Sequence, residues 1–230
     1  MKKIFEKYEF FISMCLIIIY LVLNSFCMQN WGLTSINTVV CNALLSACII
    51  IFINKIELNE YLGLVKPNKT KEFLYFFPLV LMVAISLISG IYINNSSQEI
   101  LFHVLSMICI GFLEEIIFRG FLFKMMEKDN VKSAIIVTSI TFGIGHIINL
   151  FNGAELIPTL IQITYAIAAG FLFVIIFYKG KSLLPCIITH ICINSLSIIS
   201  VENDFSLYVI PILWLIISIS YSIYIIKKIK

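Results

Sequence analysis

Charged residues are scarce in this sequence: they make up 13% of its 230 residues, whereas 60% are hydrophobic. A soluble domain carries about 25% charged residues and alternates apolar with polar positions. Here the apolar residues form long runs separated by short polar gaps, as in membrane spans of about 20 residues. The composition therefore excludes an ordinary soluble domain. The net charge of +3 gives no reason to expect a nucleic-acid partner.

The sequence also lacks the signatures of several other kinds of site. Its seven cysteines form no C-x-x-C pair, so they are interpreted as packing residues and not as a disulfide framework or a zinc knuckle. The H-E-x-x-H zinc pattern is absent as well. No polar gap is long enough to hold a second domain, so residues 1–230 are predicted to form a single transmembrane domain.

The apolar runs predict an all-α, polytopic membrane protein with a bundle of about eight transmembrane helices. The first run is too long for the core of a signal peptide, and no small-residue cleavage site follows it, so it is predicted to be a true span. The predicted spans lie roughly at 9–27, 33–53, 73–93, 100–123, 132–150, 158–178, 183–200 and 206–226.

The fifteen lysines test this topology. With eight spans and a cytoplasmic N-terminus, every lysine lies on the cytoplasmic side or at its edge, and the four outer loops contain none. This distribution obeys the positive-inside rule, so both termini are predicted to be cytoplasmic. The Ile-, Asn- and Lys-rich composition is typical of a low-GC bacterium, and it predicts a multi-pass protein of a bacterial cell membrane.

Three of the predicted spans contain polar side chains that are costly in hydrocarbon, by about 3 kcal/mol per ionisable group on insertion scales. Scattered over the bundle, these groups would only destabilise it, whereas at one point they can satisfy one another and hold water. We therefore expect them to converge on one cavity. The fourth span contains Glu114, Glu115 and Arg119, the fifth contains His146, and the seventh contains His190 and Asn194.

On the fourth span, the helical repeat separates two roles. Glu115 and Arg119 are four residues apart and are predicted to pair, which neutralises one carboxylate. A purely structural ion pair is an equally good interpretation of these two residues. Glu114 is rotated by about 100° from Glu115, so it faces a different neighbour and remains a spare acid. His103, on the same span, is interpreted as a helix–helix hydrogen-bonding residue.

The fifth and seventh spans repeat the four-residue spacing. Phe142 shares a face with His146, and His190 shares a face with Asn194. The Gly-Ile-Gly segment just before His146 is expected to allow close helix approach. At 1.5 Å per residue, His146 lies nearer the outer side than the other polar groups. Its presence in the cavity therefore requires a tilted helix or one that starts deeper.

The chemistry that this set allows is hydrolysis of a peptide bond. No serine or cysteine is paired with a base, and both aspartates lie in loops, which argues against serine and aspartyl intramembrane proteases. A glutamate in an apolar site is a competent general base, so Glu114, helped by His146, is predicted to take a proton from water. His190 and Asn194 are predicted to hydrogen-bond the oxyanion, a contribution of about 3 kcal/mol per donor.

Three blocks of sequence carry a family resemblance: Glu114-Glu115-x-x-x-Arg119, Phe142-x-x-x-His146 and His190-x-x-x-Asn194. In order and helix placement they resemble the signature motifs of the CPBP family of intramembrane proteases. This family groups CaaX prenyl endopeptidases with bacterial Abi and bacteriocin-processing or immunity proteins. The resemblance covers about residues 101–200, within a predicted catalytic core at 100–200, whereas spans one to three and eight are generic.

The resemblance implies an eight-helix fold with a catalytic cavity that opens toward the cytoplasm. By motif position it implies the roles given above for the base and the oxyanion site. It also implies that Glu115 and Arg119 organise the cavity, with Phe142 as a third supporting residue. The expected partners are the lipid bilayer and a membrane-associated peptide or protein substrate.

Two alternatives remain open. No cofactor is expected, because asparagine is a poor transition-metal ligand, but Glu114, His146 and His190 could form a His₂Glu zinc site of the same protease. A non-enzymatic transporter or immunity protein would also place glutamate and histidine in the membrane. Against that class, the sequence contains no inverted repeat and no paired broken helices.

Overall fold

The computed structural model describes residues 2–67 and 76–228. Within these ranges the chain forms eight successive helices and no β-strand, so the prediction of an all-α bundle is confirmed. The helices are α1 Lys2–Trp31, α2 Ile36–Lys55, α3 Phe77–Ile85, α4 Ser97–Glu127, α5 Val131–Phe151, α6 Leu156–Gly180, α7 Leu184–Ile199 and α8 Phe205–Lys227.

Six of the described helices are long and apolar enough to cross a membrane, and α7 is a shorter apolar helix. The outer surface of the bundle carries many large apolar side chains, such as Phe10, Phe11 and Ile18 of α1. A water-facing surface rarely exposes so much contiguous apolar area, whereas a lipid-facing surface requires it. The chain is therefore a multi-pass membrane protein.

The third helix departs from the predicted span at 73–93. Residues 73–75 lie outside the described residues, and the prediction of a helix up to residue 93 is wrong, since α3 ends at Ile85. Just beyond this end, the Ser86 hydroxyl donates to the carbonyl of Val83. Gly90 then has a φ of +101°, which side-chain-bearing residues rarely adopt. An antiparallel bridge pairs Ile91 with Ser200.

The central helix of the bundle is α4, which contacts α1, α2, α5, α6 and α7. It begins with a capping box, in which Ser96 and Glu99 satisfy each other's backbone N–H groups. Its middle, Ile116–Phe123, is π-helical and wholly buried. Such wide turns are rare and occur often at functional sites. Gly111 permits close packing against α7, because a Cβ there would lie 2.8 Å from Ile191 Cγ1.

The fifth helix is interrupted at His146, one of the residues that the sequence predicts for the site. It is α-helical over Val131–Gly145, turns at His146 and resumes as a short helix over Ile148–Phe151. Gly143 allows close approach of α6, because a Cβ there would lie 2.3 Å from the Ile167 side chain. At Gly145 the nearest atom would be 3.9 Å away, so only the first glycine of this segment has the predicted packing role.

The lysine-bearing ends of several helices meet at one side of the bundle. Lys128, at the end of α4, pairs with Glu9 near the start of α1. Tyr61, which follows α2, donates to the same carboxylate over 2.5 Å, and the Lys124 ammonium lies 5.1 Å from the Tyr61 ring centroid. These contacts place the start of α1 and the ends of α2 and α4 on one side of the bundle, and the cytoplasmic orientation inferred from the lysines stays a prediction. Lys69, Lys71 and Lys230, which that inference also used, lie outside the described residues.

Candidate active site

A fully buried ion pair lies at the base of the site. Glu115 and Arg119 both have fully buried side chains, and Oε1 lies 3.1 Å from Nη1, so the predicted pairing is confirmed. The guanidinium also lies over the ring of Phe142, with 3.8 Å between Cζ and the ring centroid, which is a cation–π contact. Gly170 of α6 makes room for it, because a Cβ there would lie 3.1 Å from Nη2.

His190 lies between the two glutamates of α4. Its Nδ1 is 2.8 Å from Glu115 Oε1, and its Nε2 is 3.3 Å from Glu114 Oε2. A carboxylate that faces a guanidinium can only accept hydrogen bonds, so Nδ1 carries a proton and donates to Glu115. Nε2 is then the ring atom that faces the spare acid. His190 thus connects the buried ion pair to Glu114.

Glu114 faces neighbours different from those of Glu115, as its rotation along the helix predicted. Its side chain is only 11% exposed, and its Oε1 accepts a hydrogen bond of 2.5 Å from the hydroxyl of Tyr20 in α1. Its Oε2 makes no hydrogen bond to any residue in 2–67 or 76–228. One carboxylate oxygen of Glu114 is therefore hydrogen-bonded to Tyr20, and the other faces His190 without a hydrogen bond.

Tyr20 is the residue of this site that sequence reasoning missed. The first span was interpreted as generic, but this phenol is 2% exposed and touches the spare acid directly. A signal was present in the sequence, because Tyr20 interrupts a run of aliphatic residues in the middle of a span. A buried phenol needs a hydrogen-bond partner. The identity of that partner could not be obtained from the sequence.

His146 belongs to the same cluster despite its predicted depth. It lies where α5 turns, and its ring centroid is 5.4 Å from that of Phe142. The Phe142 ring is in turn 5.9 Å from that of His190. Glu114 also interacts electrostatically with His146. The Phe142 ring therefore contacts both imidazoles. In the described part of the chain, the His146 imidazole makes no direct hydrogen bond.

Asn194 lies one turn beyond His190 on α7, as the spacing predicted. Its side chain is partly exposed, and its amide makes no hydrogen bond to another described residue. Its backbone carbonyl lies 2.9 Å from His103 Nε2, which confirms that His103 links α4 to α7. The amide of Asn194 is thus available to a bound molecule, whereas its backbone is anchored.

The zinc alternative requires Glu114, His146 and His190 to meet at one point. Among the described residues, no three His, Cys, Asp or Glu side chains are grouped so that they could hold a metal ion. The two ring nitrogens of His190 are directed at two different glutamates, and Tyr20 occupies one oxygen of Glu114. The described residues thus show no preassembled metal centre, and the metal-free and zinc mechanisms stay alternative proposals.

The cluster as a whole contains the groups that hydrolysis requires. It holds two imidazoles and, among the described residues, a carboxylate oxygen without a hydrogen-bond partner near a buried ion pair, and the Asn194 amide lies one turn beyond His190 on the same helix. A carboxylate of this kind can accept a proton from water, and N–H donors can stabilise a developing oxyanion. In this cluster, α1, α4, α5 and α7 contribute polar groups, and α6 provides the space for the guanidinium.

Comparison with known proteins gives one family. Residues 96–196 match the family described as type II CAAX prenyl endopeptidase Rce1-like. The matched range contains all the site residues predicted from the sequence, whereas Tyr20 lies before it. Searches of the curated proteins and of the solved structures give no significant match.

Proposed function

We propose that this chain is an intramembrane endopeptidase that hydrolyses a peptide bond in a membrane-associated protein or peptide, because residues 96–196 match the family described as type II CAAX prenyl endopeptidase Rce1-like. One structural observation supports this proposal independently of the family match. The carboxylate of Glu114 is largely buried, and its Oε2 has no hydrogen-bond partner among the described residues. An oxygen of this kind can hold and activate a water molecule.

Glu114 acts as the general base. A water molecule hydrogen-bonded to Oε2 transfers a proton to this oxygen while the water oxygen forms a bond to the carbonyl carbon of the substrate. Oε2 is the reactive oxygen, because Oε1 already accepts a hydrogen bond from Tyr20. His146 supports this step through its electrostatic interaction with Glu114.

Asn194 and His190 stabilise the oxyanion. As the water oxygen bonds to carbon, the carbonyl π electrons move to the carbonyl oxygen, and the Asn194 amide donates a hydrogen bond to it. His190 donates from Nε2 in its doubly protonated form, which the two facing carboxylates stabilise. Glu114 then gives its proton to the amide nitrogen, the C–N bond breaks, and the products are a carboxylate and an amine.

Truncation of Asn194 should lower turnover without weakening substrate binding. Asn194→Ala is expected to reduce kcat by about 10²- to 10³-fold, because the lost donor acts on charge that develops only in the transition state. KM should change by less than about threefold. Steady-state kinetics in lipid nanodiscs would measure both constants. Asn42→Ala, which removes a buried amide in α2, is the matched control. A kcat within a few fold of the wild-type value would refute the assignment.

Removal of metal should leave the activity intact. We expect purified protein to retain its cleavage rate after treatment with 1,10-phenanthroline and dialysis, because the proposed base and donors are protein groups. Elemental analysis of the same sample would quantify bound zinc. Stoichiometric zinc, together with activity that chelation removes and added zinc restores, would instead establish the metal-dependent mechanism.

The proposed function is tested most directly in the producing cell. We infer a bacterial cell membrane, with the catalytic cavity on the cytoplasmic side, from the one-sided distribution of lysines. Candidate substrates are membrane-associated precursors of pheromones, bacteriocins or regulatory peptides. Mass spectrometry would compare the membrane peptidomes of cells that produce the wild type or Glu114→Gln. Fragments found only with the wild type would identify the substrate and the cleavage site.

The same experiment separates the enzyme from a non-enzymatic protein. A transporter or an immunity factor that acts by binding would leave the two peptidomes identical. Solute flux in proteoliposomes that Glu114→Gln abolishes, without cleavage of any peptide, would establish a transporter and contradict the proposed hydrolase.

A further inference from the structure

The helix α1 lies outside the family-matched range, yet it provides the closest partner of the spare acid. The Tyr20 hydroxyl donates to Glu114 Oε1 over 2.5 Å, and the two residues are 94 positions apart in the sequence. The Tyr20 side chain is 2% exposed, so water does not compete for this contact. Of the described residues, Tyr20 is the one that hydrogen-bonds the Glu114 carboxylate.

We propose that Tyr20 is a positioning residue for Glu114, an inference that rests on the proposed function. A carboxylate that is free to rotate presents either oxygen to its surroundings. With Oε1 held by the phenol, Oε2 faces His190 Nε2 at 3.3 Å. The oxygen that binds water is therefore determined before substrate enters. Positioning of this kind raises the reaction rate by a large factor, because small displacements from the reactive geometry slow the reaction.

The chemical nature of the phenol supports this role. Within the described residues, Glu115 pairs with Arg119 and Glu9 pairs with Lys128, whereas Glu114 has no lysine or arginine partner. A cation at that place would form a strong, charge-assisted hydrogen bond and hold the carboxylate in its ionised form. The neutral phenol orients the carboxylate and adds no further positive charge to that of the protonated His190, so Oε2 remains able to accept a proton. Tyr20 thus provides direction without neutralising the base.

The test compares two tyrosines that make the same contact. Tyr20→Phe removes only the hydroxyl, and we expect kcat to fall about 10- to 100-fold while KM changes less than about twofold. Tyr61→Phe is the matched control, because it removes another 2.5 Å phenol–carboxylate hydrogen bond that involves α1, the one to Glu9. The control should retain the wild-type kcat. Both full-length variants would be assayed in nanodiscs on a substrate that the wild type cleaves.

A second measurement shows whether Tyr20 acts through Glu114. In the Glu114→Gln background, Tyr20→Phe should not reduce the residual rate further, because the group that it positions no longer acts as a base. Equal losses in both backgrounds, or equal kcat values for Tyr20→Phe and Tyr61→Phe, would overturn the proposal. So would failure of Tyr20→Phe alone to accumulate in the membrane. Because the wild type must first cleave the substrate, and Glu114→Gln must cleave it at least about 10³-fold more slowly, each of these failures is distinct from failure of the proposed function.

Discussion

Glu114→Gln is expected to lower kcat/KM for peptide hydrolysis by at least about 10³-fold while the protein remains folded and inserted. Glutamine has nearly the same shape as glutamate, and its amide oxygen can still accept the hydrogen bond of Tyr20. It cannot take a proton from water. Single-turnover rates in lipid nanodiscs would measure the loss, and thermal unfolding of the purified variant would show that the fold is retained.

The matched control for this variant is Glu127→Gln. Glu127 lies on the same helix and pairs with Lys124 at its end, outside the site. The control should have the wild-type rate, because its carboxylate pairs with Lys124 and not with any of the proposed catalytic residues. Wild-type turnover in Glu114→Gln would remove this acid from the mechanism, and equal losses in the two variants would show that the effect is not specific to the site.

Arg119→Met is expected to destabilise the folded protein by about 3 to 5 kcal/mol, because it removes the guanidinium that neutralises Glu115 in a fully buried site. Both partners are completely shielded from solvent, so water cannot replace the guanidinium. Thermal unfolding in detergent and the yield of folded protein from membranes would measure the loss. The loss of the cation–π contact with Phe142 adds to the effect.

Two further variants test the cause of this destabilisation. In the double variant Arg119→Met/Glu115→Gln, the buried negative charge is also removed, while an acceptor for His190 remains. We expect it to recover most of the lost stability. Lys124→Met, which breaks the partly exposed pair with Glu127, should cost less than about 1 kcal/mol. If Arg119→Met unfolds at the same temperature as Lys124→Met, burial is not what makes this pair important.

Features within a single helix were predictable because they depend on local geometry. A run of about 20 apolar residues forms a helix in lipid whatever its neighbours are, since its backbone must bond within the segment. The Glu115–Arg119 pair also follows from a four-residue spacing. The prediction was wrong at the end of α3, which is followed by the Ser86–Val83 hydrogen bond, by Gly90 with a positive φ and by the bridge from Ile91 to Ser200. The bridge is a tertiary contact.

Contacts between helices were not predictable in the same way. Hydropathy places Tyr20 in α1 and Glu114 in α4, but it does not determine which faces of the two helices meet. The depth estimate for His146 assumed a continuous straight helix, whereas α5 turns at this residue. His190 was predicted to share a face with Asn194, and only the packing of α7 against α4 places it between two carboxylates.

The sequence alone determined that this protein lies in a membrane, that its spans are helical, and that its costly polar groups belong to α4, α5 and α7. These properties follow from composition and from the repeat of one helix. The tertiary structure decided which group each polar side chain faces, including the contact of the Tyr20 hydroxyl with Glu114. The physical reason is that contacts between helices depend on the rotation and crossing of every helix in the bundle, which no single segment encodes.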